Sequence, residues 1–262
     1  MNTALADWFS LAGRRAVVTG GSRGIGRMIA QGMLMADADV AICARHADQV
    51  ESTVSALASF GNCIGLAADL SKSEGRESIA AWVEARYGNV DILVNNAGTS
   101  WGEDLATFPL DGFEKVIQVN LTSVFDLTRR LLPLIERSAT AENPSRIINI
   151  GSVDGLRVPS VDNYPYSASK AAIHMLTRHL ARTLLAKHIN VNCIAPGIFE
   201  TKMTAHWFDE THPNYAQRPA IPMIRAGGLD DIAAAAVYLA APASTYITGV
   251  VLPVAGGIGT ID

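Results

Sequence analysis

The sequence predicts a doubly wound α/β fold, a seven-stranded parallel sheet flanked by helices, on three observations. Short β-branched or apolar runs alternate with longer helical patterns from one end of the chain to the other. The runs are apolar on both faces, as strands are when helices cover each side of a parallel sheet. The first run passes through a glycine-rich turn directly into a helix, the order that opens a βαβ unit. With 262 residues, 49% hydrophobic and 18% charged, the chain fits one large domain over 1–262. No low-complexity linker, fixed-period repeat or charge run divides it.

In chain order, Ala16-Val17-Val18 reads as the first strand and leads into Thr19-Gly20-Gly21-Ser22-Arg23-Gly24-Ile25-Gly26. Met28, Ile29, Met33 and Leu34 then repeat at helical spacing, predicting a helix over 24–36. Glycines there allow a tight turn and let backbone amides approach a pyrophosphate, whose charge sits against the positive end of the helix. The second strand, 40–43, ends in Ala44-Arg45-His46. An acidic residue at that position would bind the ribose diol of NAD. Arg45 instead suits a 2′-phosphate, with Arg23 as a second cation, so NADP(H) is the expected cofactor. Asp39 precedes this strand and is not read as a ribose ligand.

A helix over 47–59, a strand at 64–66, a helix over 74–87 and a strand at 92–94 follow, the last running into Asn95-Asn96-Ala97-Gly98. Next come a helix over 121–138 and a strand at 147–150 ending in Gly151-Ser152. The helix over 165–187 opens with Tyr166-Ser167-Ala168-Ser169-Lys170. Residues four apart stack on one helix face, so Tyr166 and Lys170 point into one cleft. A phenol with a reference pKa of roughly 10 is about a thousandth ionised at pH 7, and a nearby ammonium favours its phenolate. Tyr166 is then a donor to an alkoxide in ketone reduction, or an acceptor in alcohol oxidation, with Ser152 holding the same oxygen. Alone, such a pair is also an ordinary surface Tyr and Lys on an amphipathic helix.

The chain closes with a strand at 191–194, Pro196-Gly197, an irregular stretch, a helix over 230–240 and a strand at 250–252. The stretch carries Pro213, Pro219 and Pro222 among Phe199, Met203, Trp207, Phe208 and Tyr215. It reads as a substrate lid at about 198–225; a satellite helix or a subunit contact is the alternative.

Composition excludes several classes. A net charge of -4 argues against a nucleic-acid partner. Residues 1–15 contain Asp7 and lack a basic region followed by an apolar run, so no secretory signal is expected. The richest apolar stretch, 232–243, is too short to cross a membrane and contains Pro242. Cys43, Cys63 and Cys193 fit buried thiols in a reducing cytoplasm better than a disulfide framework or metal cluster. His174 and His179, like His206 and His212, lack metal-ligand spacing, so no metal is expected.

Thr19-Gly20-x-x-x-Gly24-x-Gly26, Asn95-Asn96-Ala97-Gly98, Asn120, Ser152, Tyr166-x-x-x-Lys170 and Pro196-Gly197, in that order, resemble the short-chain dehydrogenases/reductases over nearly the whole chain. The resemblance implies a single-domain Rossmann fold and a catalytic set of Asn120, Ser152, Tyr166 and Lys170. Tyr166 would be the proton donor or acceptor and Ser152 would orient the substrate oxygen. Lys170 would bind the nicotinamide ribose and lower the tyrosine pKa, and Asn120 would hold a relay water. Gly20, Ser22, Arg23, Gly24, Ile25, Arg45, Asp69, Leu70, Asn96, Gly98, Pro196, Gly197 and Thr201 would line the cofactor, with Asp69 on adenine and Thr201 on the carboxamide. Asp69 and Thr201 are also plausible as caps.

Within the family, Asn95 to Gly102 and Ala141-Glu142-Asn143-Pro144 look like the bacterial NADPH-dependent 3-oxoacyl-thioester reductases, especially the branch associated with rhamnolipid biosynthesis. An acyl chain would then meet Trp101, Val153, Leu156, Phe199 and Trp207, residue types that cores and subunit contacts use equally. Arg137 and Lys187 fall where such reductases dock an acyl-carrier protein, though cations at helix C-termini also act locally. The expected function is NADPH-dependent reduction of a ketone, first a 3-oxoacyl thioester, in a cytoplasmic homotetramer or homodimer. A bulky ketone, steroid or polyol is the alternative substrate, and an NADP(H) sensor without turnover the alternative class. The family pattern is broken at Ala255, at Gly228-Leu229, and by one extra residue between Ser152 and Tyr166.

Overall fold

The computed structural model describes residues 3–212, 215 and 220–261, so Pro213 and Pro219 of the expected lid lie outside the described residues. The seven strands are β1 (Arg15–Thr19), β2 (Asp39–Ala44), β3 (Cys63–Ala67), β4 (Ile92–Asn95), β5 (Ser145–Ile150), β6 (Ile189–Pro196) and β7 (Val251–Val254). They form one sheet in the order β3-β2-β1-β4-β5-β6-β7, parallel throughout. The helices are α1 (Thr3–Phe9), α2 (Gly24–Met35), α3 (Ala47–Leu57), α4 (Ser73–Tyr87), α5 (Leu110–Ile117), α6 (Ser123–Ser138), α7 (Tyr164–Leu184) and α8 (Leu229–Ala240).

Two of these, α1 and α5, are absent from the sequence reading. The reason for α5 is visible: it passes through a π-turn at Gln118–Thr122 straight into α6. A π-turn inserts an extra residue per turn and displaces the apolar stripe, so no single 3.6-residue period spans the combined helix.

Alternation along each strand divides the core in two. Ala16 and Val18 of β1 join Ile42, Val94 and Ile148 beneath α2 and α8, through Ile29, Met33, Ile232 and Ala236. Val17 joins Ala41, Leu93, Ile147 and Val191 on the opposite face, covered by Ile79 of α4, Leu127 and Leu131 of α6 and Leu184 of α7. Runs apolar on both faces therefore arise because helices cover both sides.

A polar ladder crosses the second layer. Asn95 Nδ2 donates to Asn149 Oδ1 at 2.9 Å and to Thr128 Oγ1 at 3.1 Å, while Asn149 Nδ2 donates to Thr177 Oγ1 at 2.9 Å. It ties β4 and β5 to α6 and α7 inside the protein, where an unpaired amide would cost about 1–3 kcal/mol. The register of α7 against the sheet follows from it. The strand order reverses between β1 and β4, and the crevice of a doubly wound sheet opens at such a point, beyond the strand C-termini.

The tightest helix contact is between α2 and α8. A Cβ on Gly32 would lie 2.5 Å from Ala233 Cβ and 3.2 Å from Ala233 Cα. Alanine gains about 1 kcal/mol over glycine in a helix, yet Gly32→Ala is expected to destabilise the protein by about 1–2 kcal/mol net, because overpacking dominates. A chemical-denaturation midpoint at or above that of the wild type would contradict this packing.

Candidate active site

The crevice is stitched at its base by Thr19. Its Oγ1 accepts from the Asn96 and Ala97 amides at 2.9 and 3.0 Å and donates to the Val94 carbonyl at 3.3 Å. Asn96 Nδ2 returns to the Thr19 carbonyl at 2.8 Å and the Gly20 carbonyl at 3.3 Å. Asn96, expected to line a cofactor, therefore spends its amide on locking the two walls together. The turn leaves no room for side chains: Gly20 and Gly24 have φ of 64° and 52°, and a Cβ on Gly26 would fall 2.3 Å from Asn96 Nδ2. Such a bare backbone at the start of α2 suits a pyrophosphate.

Around this turn, Ser22 is buried and its carbonyl accepts from Thr53 Oγ1 at 2.8 Å. Ile25 is half-buried, and Arg23 and Arg45 are exposed, with no ion pair among the described residues. Beyond β3, Asp69 Oδ1 accepts from the Ser71 amide and hydroxyl at 3.0 and 2.8 Å. Burial opposes ionisation of this carboxyl, but the Ser71 bonds and the Lys72 and Arg45 cations prevail and hold its pKa below the usual carboxylate range. Leu70 is buried, and its carbonyl accepts from Arg76. Pro196 ends β6 on the far wall and Gly197 follows it. Thr201 follows them and reaches back toward the turn, since a Cβ on Gly24 would lie 3.3 Å from Thr201 Cγ2.

The reacting groups converge where β5, α7 and the π-turn meet. Ser152 caps the turn Val153–Gly155, its Oγ accepting from the Asp154 amide at 3.1 Å, and it hydrogen-bonds the Tyr166 phenol. His174 fills the space beneath this turn: a Cβ on Gly151 would lie 2.3 Å from its Nε2. Lys170 is buried, with Nζ donating to the Ile150 carbonyl at 2.8 Å and standing 5.5 Å from the Tyr166 ring centroid. Asn120, inside the π-turn, donates to the Thr99 carbonyl at 2.9 Å and to Ser169 Oγ at 3.0 Å, and accepts from the Thr99 amide at 2.9 Å. Gly98 leaves space open beside this group, with Asn120 Oδ1 and Lys170 Nζ 3.4 and 3.7 Å from where its Cβ would be.

The electrostatics differ from the expectation that Lys170 makes the phenol more acidic. Burial pushes Tyr166 up to about 12, the Ser152 bond pulls it down and the Asp154 charge raises it further. Burial also pushes Lys170 down to about 8. Taking charge out of water outweighs the attraction of an ammonium whose hydrogen bond points to Ile150. A protonated phenol with a raised pKa beside a serine hydroxyl is a proton donor to a strongly basic oxygen.

The expected acyl-chain residues divide. Trp101 and Leu156 are exposed, and Lys115 Nζ lies 5.8 Å from the Trp101 ring centroid. Val153 and Trp207 belong to a small cluster with Ile198, Ile221 and Ile258 that attaches the expected lid to the C-terminal turn. Phe199 is a correction: it is 2% exposed in the main core, its ring filling the space over Gly227, and it offers no substrate surface. Arg137 pairs with Glu84 at 3.0 Å and Lys187 pairs with Glu136, so both cations are engaged locally. Asp154 lies on the loop that the longer serine-to-tyrosine interval places at the cleft; Ser169 and Asn163 join it without a local signal, because their contacts form only when α7 and the Ser152 turn meet. Among the described residues no helix is long and apolar enough to cross a membrane, and no His, Cys, Asp and Glu cluster is arranged to hold a metal.

Comparison with known proteins agrees with this fold. The family described as short chain dehydrogenase matches residues 14–212. The rhamnolipids biosynthesis 3-oxoacyl-[acyl-carrier-protein] reductase of Pseudomonas aeruginosa is 51% identical over 250 residues, 95% of this chain and 98% of that protein. The Bacillus subtilis 2-dehydro-3-deoxy-D-gluconate 5-dehydrogenase is 38% identical, over 97% of each chain. Among solved structures, the Pseudomonas aeruginosa RhlG/NADP active-site complex superposes with a TM-score of 0.93 at 50% identity, covering 97% of this chain and 99% of that one.

The buried lysine has a measurable consequence. Its folded pKa of about 8 lies below the ordinary 10.5, so the unfolded chain binds this proton more tightly between those values. The ammonium therefore costs stability below pH 8, and the cost fades as pH rises to 10.5. Lys170→Met is expected to be more stable at pH 7, by at most about 3 kcal/mol. Denaturation midpoints should converge at high pH, and equal midpoints at pH 7 would contradict the burial of this charge.

Proposed function

The chain belongs to the short-chain dehydrogenases, and from that premise we propose that it reduces a ketone to a secondary alcohol with NADPH, acting on a 3-oxoacyl thioester. The observation that carries the reading is the bond between Ser152 and a half-buried, protonated Tyr166 at the crevice end of β5, beside Lys170. The 3-oxoacyl-[acyl-carrier-protein] reductase name of the relative at 51% identity supports the substrate class.

The residues present fit the dinucleotide. The glycine turn from Gly20 to Gly26 would take the pyrophosphate, Asp69 the adenine side, and Gly98, Lys170 and Thr201 the nicotinamide end. Arg45, exposed just past β2 where an acid would select NAD, would grip the 2′-phosphate with Arg23. The NADP in the RhlG structure supports this choice. When bound, reduced nicotinamide supplies a hydride to the carbonyl carbon.

The chain supplies the rest. Ser152 Oγ and Tyr166 Oη hold the carbonyl oxygen, so that charge is stabilised as it develops. Tyr166 Oη gives its proton to the resulting alkoxide, a stronger base than a phenolate, and Lys170 stands near enough to steady the phenolate left behind. Asn120, pinned between Thr99 and Ser169, holds the π-turn that walls the site. Trp101 and Leu156 would meet the acyl portion at the rim.

The B. subtilis relative's name favours a sugar-acid ketone as the second substrate reading. A cytoplasmic homotetramer, or a homodimer, is the assembly we infer, supported by exposed Phe125 on α6, Met175 on α7 and Tyr246 before β7. A carrier protein is the proposed donor of the thioester; Arg137 and Lys187, exposed and each in a surface ion pair that an acidic partner could exchange, are its proposed docking cations, with a purely local role as the alternative.

Two results follow for turnover and cofactor choice. With acetoacetyl thioester, loss of reduced-nicotinamide absorbance should occur with wild type, while Tyr166→Phe should lose about 100-fold or more of kcat and keep its NADPH affinity. Retained activity in that variant would remove Tyr166 as the acid. Arg45→Asp should erase a preference for NADPH over NADH worth about 1.5–3 kcal/mol, roughly ten- to a hundredfold in kcat/KM; equal use of both cofactors by wild type would contradict the arginine reading.

A further inference from the structure

We propose that Asp154 is a positioning residue for the proton donor: it braces the Ser152 turn against Asn163 at the head of α7, and its carboxylate keeps Tyr166 in the donor role. The inference rests on the reading of Tyr166 above and extends it to the direction in which the site works best.

The brace is a continuous chain of contacts. The Asp154 amide donates to Ser152 Oγ at 3.1 Å, which leaves the serine's own proton for an oxygen across the cleft. Asp154 Oδ2 accepts from Asn163 Nδ2 at a long 3.4 Å. Asn163, buried, accepts at its carbonyl from the Tyr166 amide at 2.8 Å and the Ser167 amide at 3.2 Å. The two groups that would hold one substrate oxygen are thus linked through Asp154 and Asn163, although they stand on different elements. Reacting groups lose efficiency steeply when misplaced by about 1 Å, so this link bears on rate.

Charge supplies the second effect. The groups facing the Ser152 turn are Arg157 on the same segment, Tyr166 and His174 from α7, and Cys193 from β6 against Gly151, with Lys170 facing the phenol ring. Of these, Asp154 is the carboxyl whose charge raises the phenol pKa, since a like charge disfavours phenolate; burial raises its own pKa, while the Asn163 bond and the Arg157 charge favour its ionised form. In ketone reduction Tyr166 starts protonated and gives the proton to a stronger base, so this repulsion is met only after hydride transfer. In alcohol oxidation the phenolate must form first, next to the carboxylate. The arrangement therefore favours reduction near neutral pH.

The test compares wild type with Asp154→Asn, which removes the charge but retains an acceptor for Asn163, and Asp154→Ala, which removes both. The pH profile of kcat/KM for oxidation of a 3-hydroxyacyl thioester by NADP is read beside kcat and KM for reduction. Both variants should move the oxidation midpoint down by about one pH unit, raising oxidation below it about tenfold. Asp154→Ala alone should also lower kcat for reduction about tenfold with KM changed less than about twofold. Unmoved midpoints overturn the charge role, and equal reduction kcat in the two variants overturns the brace. Asp154→Ser replaces Asp154→Asn, and Asp154→Gly replaces Asp154→Ala, if either fails to fold. A wild type that does not turn over any thioester would defeat the substrate reading instead. The phenol titration would then be read in the NADP complex from tyrosinate absorbance, wild type and Asp154→Asn each measured against its Tyr166→Phe counterpart, with coincident midpoints again overturning the proposal.

Discussion

The structure depends on how two diverging strands are joined at their C-terminal ends. Between β1 and β4 the strand order reverses, so the chains leaving them turn away to opposite faces and expose a crevice. Thr19 and Asn96 span that gap with reciprocal bonds, satisfying backbone groups that have no strand partner. Once this join is fixed, the glycine turn forms one wall and the segment after β4 the other. The ends of β5 and β6 continue the same rim, placing Ser152 after one and Thr201 beyond the other, near Gly24.

What fills the rim is governed by burial as much as by charge. Tyr166 and Lys170 were set side by side by helical spacing, and the simplest expectation was an acid made stronger by its neighbour. Instead the enclosed site favours the neutral forms of both, raising the phenol and lowering the amine. A carboxylate on the Ser152 turn works in the same direction. The balance suits the proposed donor role in ketone reduction better than the acceptor role in alcohol oxidation, which needs the phenolate first.

The sheet was legible because its strands are buried on both sides and so carry unbroken apolar runs, and because Gly20 to Gly26 and Tyr166 to Lys170 are local patterns. Features set by distant contacts were not. Leu110–Ile117 escaped notice because the π-turn after it breaks the helical period. Phe199 reads as a ligand-facing aromatic beside Thr201, yet its ring lies over Gly227, twenty-eight residues on. Asn96 sits in a motif suggestive of cofactor contact, and its lock on the Thr19 and Gly20 carbonyls is a second role that no local pattern shows. The Asp154 to Asn163 contact crosses the one-residue expansion of the serine-to-tyrosine interval, which marked the loop as unusual without showing what it holds.

Tracing deuterium from NADPH carrying deuterium at both carbon-4 positions into the product most directly tests whether this crevice performs hydride transfer to a ketone. With a 3-oxoacyl thioester, the account predicts one deuterium on the new carbinol carbon and a hydroxyl proton drawn from the solvent-exchangeable pool. A carbinol carbon without label, or tight NADPH binding with no reduced product across a broad carbonyl panel, would contradict it.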